Sequence, residues 1–271
     1  MVSKGESTVT GEQPAVTTEQ RGHVLLVGLN RPAKRNAFNL AMMHELALAY
    51  GRIERDDEIR AAVVFAHGDH FTGGLDLAEV AAVFGKPEQA IPEGGLDPWR
   101  NDGTRWTTPV VLAAQGVCYT AGVELLLAAD IRIAASDSRF LQFEVQRGIF
   151  PFGGATTRFV REAGWGNAMR WILTGDEFDA DEALRMGLVQ QVVEPGHQLE
   201  RAIEIAEFIA ERAAPLAVRG ALASAHRAID EGHDAAVAHF TEDIASLFVS
   251  EDAQEGVRSF VERRQAKFTG R

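Results

Sequence analysis

The chain has 271 residues, enough for a sizeable core and one or two lobes, and its composition is that of an ordinary globular protein. A formal net charge of −12 argues against nucleic acid as the main partner, and no apolar run approaches membrane-spanning length. The single cysteine, Cys118, excludes an internal disulfide and points to a reducing, cytoplasmic setting.

Residues from Met1 to about Gln20 are rich in Ser, Thr, Glu and Gly without apolar periodicity. They read as a mobile tail, lacking the apolar centre of a signal peptide and the arginine bias of a transit peptide. Val24–Leu29 reads as a buried strand, stopped by Asn30-Arg31-Pro32. Asn39 then caps a helix running to about Arg55, with Leu40, Met43, Leu46, Ala47, Tyr50 and Ile53 on its apolar face. Ala61–Ala66 is a second buried strand, followed by a turn and the glycine-rich stretch Phe71–Asp76. The segment from about Gly85 to Gly103 mixes Pro, Gly and charge, and reads as loop or short helices. Pro109–Ala114, Ile131–Ala135, Arg139–Phe143 and Val189–Val193 are further strands. Beyond Pro195 the periodicity is helical, over 198–212, 215–230, 234–249 and 252–265. This predicts a tail over 1–20, a strand-rich α/β body over 21–195 and a helical region over 196–271, whose apolar faces cover either the body or a neighbouring subunit.

Two glutamates stand out. Glu124 is the only charge in Gly116–Ala129, and Glu144 follows Phe140-Leu141-Gln142-Phe143. A carboxylate in apolar surroundings is costly unless protonated, paired or functional. Two that converge can supply an acid and a base to one substrate. Ordinary accounts stand beside this: Glu124 in a helix first turn favoured by the dipole, and Glu144 as a strand-end acid or an ion pair with Arg147. Gly73-Gly74-Leu75 and Thr120-Ala121-Gly122 each follow a buried strand and precede a helix. Such turns either satisfy positive φ or aim backbone N–H groups at a developing oxyanion, which commonly uses two donors. Arg31, Lys34 and Arg35 bracket Pro32 as a solvated basic loop or a phosphate site. The histidines have no metal-binding spacing, His67 and His70 being surface-turn residues, and Cys118 reads as a small buried side chain. There is no P-loop, dinucleotide fingerprint or nucleophile elbow.

Several stretches together resemble the signatures of the crotonase (enoyl-CoA hydratase/isomerase) superfamily. These are Asn30–Ala37, Phe71–Asp76, Pro109–Gly116, Ala129–Ala134, Gly148–Gly154, Leu173–Gly175 with Gly187–Val189, and Glu255–Phe260, in family order from about residue 22 onward. The resemblance implies a spiral of repeated ββα units with a C-terminal helical region forming a homotrimer or a dimer of trimers. It implies acyl-CoA thioester substrates, with coenzyme A as part of the substrate and no metal or other cofactor. By position, the oxyanion donors are the N–H groups of Leu75 and Ala121, and the family's two hydratase glutamates fall on Glu124 and Glu144. Lys34, Arg35, Ala37 and Gly73 fall beside the CoA moiety. Phe260 and Lys267, expected on the last helix, reach the CoA of a neighbouring subunit. The chain departs from the family pattern at Thr120, Phe150 and Phe152, which bear on the acyl pocket. The implied reaction is hydration of a trans-2-enoyl-CoA. Double-bond isomerisation by Glu144 and a catalytically silent CoA-binding role are the alternatives.

Overall fold

The computed structural model describes residues 13–82, 86 and 90–271. The expected tail before residue 13, and part of the mixed segment 85–103, fall outside the described residues.

The central feature is a six-stranded sheet. Its strands are β1 (Val16–Arg21), β2 (Val24–Leu29), β3 (Ala61–Ala66), β4 (Val110–Ala114), β6 (Ile131–Ala135) and β9 (Gln191–Val193), in the order β1-β2-β3-β4-β6-β9. All pairs are parallel except β1–β2 at one edge. The continuous apolar runs are explained by burial on both faces, as parallel sheets require. Leu25, Val27, Val64 and Leu112 face one core, which also takes Leu46, Tyr50 and Ile53 of α1 (Leu40–Arg55). Leu26, Val63, Val111 and Ile133 face the other, against Ala202, Ala206 and Ala210 of α7 (Gln198–Arg212). The small alanines let α7 lie close to the sheet.

A smaller sheet joins β5 (Val117–Tyr119), β7 (Arg139–Leu141) and β8 (Glu177–Asp179). Thr72 forms an isolated bridge to Cys118, which extends this layer. The chain therefore repeats one move three times. A main-sheet strand (β3, β4, β6) leads to an extended segment in the second layer (residues 71–75, β5, β7), then to a helical turn. Those turns are α2 (Leu77–Val80), α3 (Ala121–Ala128) and a 3-10 turn over Glu144–Arg147. Cross-bonds lock successive turns: Thr72 N–H donates to Val117 O at 3.0 Å and Thr120 N–H to Leu141 O at 2.7 Å. This is the ββα spiral that the resemblance implied. It puts Leu75, Ala121 and Glu144 near equivalent points of successive turns.

The structure corrects several expectations. Val16–Gln20, expected within the tail, forms with Arg21 an edge strand paired with β2 over its whole length. Its polar, exposed residues gave no apolar run to read. Arg139–Phe143 is strand only to Leu141, and Val189–Val193 only from Gln191. Helices α4 (Ala155–Ala163), α5 (Trp165–Thr174) and α6 (Ala180–Arg185) follow the third turn. The region from 196 divides: α7 belongs to the body's core, while α8 (Pro215–Asp230), α9 (His233–Phe248) and α10 (Glu251–Glu262) keep exposed apolar residues such as Phe240, Ile244 and Phe248. Lys267 lies beyond the last helix, not on it, because Arg263 takes a left-handed C-cap. Among the described residues no helix is long and apolar enough to cross a membrane.

Asn36, wholly buried, pins the first loop to the spiral. Its side-chain oxygen accepts from Arg31 N–H at 2.7 Å, and its amide donates to His67 O at 2.9 Å and His70 O at 2.8 Å. Asn36→Ala strands these buried partners, for an expected cost of roughly 2–4 kcal/mol. Thermal unfolding should then fall by about 5–15 °C. An unchanged midpoint would refute this role.

Candidate active site

A cavity of about 350 Å³ opens where the three spiral turns meet. Met43, Leu75, Leu77, Trp99, Phe143 and Ile149 give it mostly apolar walls, and both glutamates line it.

Glu124 sits in the first turn of α3, whose other residues are all buried and uncharged. It is 3% exposed, and its Oε1 accepts from Ala155 N–H, the start of α4, at 3.2 Å. Loss of water raises its carboxyl to about 7, and the nearby Glu144 adds to the rise. Hydrogen bonds from Ala155 and Gly153 and the charge of Arg158 work the other way. The approach to Gly153 is so close that a Cβ there would come 2.3 Å from Glu124 Oε2.

Glu144 begins the 3-10 turn that follows β7 and is also buried. Burial again raises its carboxyl to about 7. Among the described residues it has no ion pair. Arg147, the partner in one of the ordinary accounts of Glu144, instead holds its guanidinium 4.9 Å from the centre of the Phe143 ring. The buried Gln142 amide serves both turns. Its nitrogen donates to Thr120 O at 3.3 Å or, turned over, to both Glu144 oxygens at 2.8 and 2.9 Å.

The two glycine turns supply N–H groups. Around Leu75, Phe38 N–H donates to Gly74 O at 2.8 Å and Asp76 N–H to Phe38 O at 2.9 Å, so the Leu75 N–H faces away from that pairing. Ala121 is the first residue of α3, where N–H groups lack an intrahelical acceptor. Among the described residues neither N–H has a partner, and both residues line the cavity. Two donors without a partner among the described residues, beside two carboxyls raised to about 7, can bind a carbonyl oxygen, stabilise charge on it and move protons next to it.

Of the other expected residues, Gly73, Thr120 and Phe152 line the cavity. Phe150 does not. It is 64% exposed, and its neighbour Ile149 faces the cavity instead, because the segment is an irregular turn without strand alternation. Lys34 and Arg35 are exposed and make no ion pair with a described residue. Their loop, with Ala37, is tied to the site through Gly73 N–H, which donates to Arg35 O at 2.8 Å. Phe260 is 84% exposed and Lys267 is exposed, and neither lines this cavity. Cys118 is buried against Gly122, and burial raises its thiol, so it stays neutral.

Trp99 escaped sequence reasoning. Its indole N–H donates to Ala121 O at 2.9 Å, and its ring packs edge-on to Phe38. A tryptophan in a mixed, Pro- and Gly-bearing segment was the available signal.

A protein with this spiral and this paired-glutamate cavity has the architecture of the crotonase fold. The chain belongs to the enoyl-CoA hydratase/isomerase family, which it matches over residues 19–271. It is 35% identical to enoyl-CoA hydratase EchA19 of Mycobacterium tuberculosis, over 95% of this chain and 97% of that protein. It is 32% identical to the 2,3-dehydroadipyl-CoA hydratase of Escherichia coli, over 94% of this chain and 98% of that one. The crystal structure of a probable enoyl-CoA hydratase/isomerase from Mycobacterium abscessus superposes with a TM-score of 0.92 at 51% identity, covering 95% and 99% of the two chains.

The raised pKa of Glu124 fixes a sign. A carboxyl that holds its proton more tightly when folded favours folding at low pH, and that contribution is lost as pH rises from about 4.5 to about 7. The full effect is at most roughly 3 kcal/mol. Glu124→Gln does not titrate, so its stability relative to the parent should rise between about pH 5 and pH 8. Denaturant unfolding at both pH values checks this, and a difference that does not move with pH would contradict it.

Proposed function

We propose that the chain hydrates trans-2-enoyl-CoA thioesters to 3-hydroxyacyl-CoA. The observation that carries this reading is the convergence, in one largely apolar cavity, of two carboxyls raised to about 7 and two backbone N–H groups that have no partner among the described residues. The Leu75 and Ala121 N–H groups hold the thioester oxygen and stabilise enolate-like charge as water adds. Removing one such donor typically costs ~10²–10³ in rate. Glu124, held by Ala155, takes a proton from the water that attacks C3. Glu144 gives a proton to C2. Both groups act from one side of the substrate, so addition is syn. The attacking water supplies the hydroxyl, and Glu124 and Glu144 end the cycle with their protonation exchanged, reset through solvent.

In this reading Lys34, Arg35, the Ala37 backbone and Gly73 lie along the CoA moiety, and the addition needs no separate cofactor or metal. Phe260 and Lys267 contact the CoA of a neighbouring subunit in a homotrimer or dimer of trimers. The exposed Phe240, Ile244 and Phe248 support such an interface. The acyl group lies between Trp99, Thr120 and Phe152. A cytoplasmic setting suits the single reduced thiol.

Glu124 favours hydration over isomerisation, because a proton shuttle between C2 and C4 needs only Glu144. Turnover of short, medium and ring-bearing enoyl-CoAs with product identification tests this. The expected product carries one added water, and Glu124→Gln and Glu144→Gln each lose about 10²–10⁴ in kcat. The rate should also fall on both sides of neutrality, since one carboxyl must be ionised and the other protonated. A shifted double bond with no added water, or full activity in Glu144→Gln, would overturn the assignment.

A further inference from the structure

Thr120 has a backbone conformation that is unusual for a β-branched residue. It lies at φ 50°, ψ −113°, a conformation glycine adopts readily and a β-branched residue resists. Of the described non-glycine residues at positive φ, namely Arg35, Asn36, Arg100, Thr120 and Arg263, it is the β-branched one. The usual reason for threonine ahead of a helix is to cap it, yet the Thr120 side chain makes no capping bond to α3. Its N–H bonds to Leu141 O, and its carbonyl accepts from Glu124 N–H and Gln142. Its hydroxyl has no partner among the described residues.

That hydroxyl sits at a revealing place. It packs against Gly74 so closely that a Cβ on Gly74 would come 2.0 Å from Thr120 Oγ1. The peptide after Gly74 carries the Leu75 N–H, and the peptide after Thr120 carries the Ala121 N–H. The hydroxyl therefore lies against the residue whose peptide carries one donor, and belongs to the residue whose peptide carries the other, and Thr120, Leu75 and Ala121 all line the cavity. Strained, over-determined backbone of this kind persists where the surroundings hold a group in place for use.

We propose that the Thr120 hydroxyl is a third hydrogen-bond donor to the thioester carbonyl oxygen, beside the Leu75 and Ala121 N–H groups. The hydroxyl donates a hydrogen bond and keeps its proton, so no group needs resetting after turnover. This rests on the thioester reading of the site and adds a side-chain donor to the two from the backbone.

The experiment compares Thr120→Val, which keeps the branched shape and loses the hydroxyl, with Thr120→Ser, which keeps the hydroxyl. Thr120→Ser and Thr120→Ala form a second pair, free of β-branching, that makes the same comparison if the valine variant does not fold. Two readouts are taken on the full chain: kcat and KM for a short trans-2-enoyl-CoA, and the near-ultraviolet absorbance of bound acetoacetyl-CoA, whose enolate needs the same donors but no turnover. The proposal expects the valine or alanine variant to lose about 10- to 100-fold in kcat with little change in KM, and to bind less of the ligand as enolate, while serine restores both. Valine matching the parent in both readouts, or serine and alanine falling alike, overturns it. A parent protein that enolises the ligand without hydrating the enoyl-CoA sinks the hydratase reading and leaves the donor test standing. A parent that does not bind the thioester sinks both.

Discussion

Carboxyl groups out of water hold their protons, and this site is organised around two of them. Glu124 and Glu144 are buried beside a largely apolar cavity, and in both the loss of water is the largest cause of the rise towards 7. Neither has an ion pair among the described residues that would pull it back to ordinary acidity. Backbone donors moderate Glu124, and the Gln142 amide reaches Glu144. The result is a pair poised to give and take protons near neutral pH, which exposed glutamates could not do.

The spiral is what makes that arrangement geometrically possible. Each turn crosses from the main sheet to the second layer and then enters a helical turn. Hydrogen bonds from one turn to the next fix their relative positions. Leu75, Ala121 with Glu124, and Glu144 thus arrive from three successive turns at one place. Main-sheet strands buried on both faces supply the rigidity: α1 covers one side and α7 the other. The loop bearing Lys34 and Arg35 is joined to the same frame through Asn36 and Gly73, so loop and cavity wall are held in register.

How much of this could be read from the residues follows from the physics of each element. β2, β3 and β4 were legible because strands buried on both faces become unbroken apolar runs. The start of α1 was legible because Asn39 accepts from Met42 N–H in the usual N-cap manner. The edge strand β1 was hidden, since an exposed edge needs no apolar pattern. The three-residue strands β5 and β8 are too short to carry a period. Both glutamates were visible as isolated charges in apolar surroundings, but their partners were not. Ala155 contributes only a backbone N–H, Gln142 acts through proximity created by folding, and Trp99 comes from a segment without periodicity. Ile149 rather than Phe150 faces the cavity because an irregular turn, unlike a strand, has no alternation to count. The strain at Thr120 is likewise a property of the backbone, invisible until φ is known.

We propose that Glu124 and Glu144 act from one face of a thioester held between two backbone donors. The most direct measurement is the relative configuration of product formed in heavy water. Hydration of a trans-2-enoyl-CoA in D₂O should place deuterium at C2 on the same face as the new hydroxyl at C3. Deuterium on the opposite face, or scrambled between the two, would contradict the account.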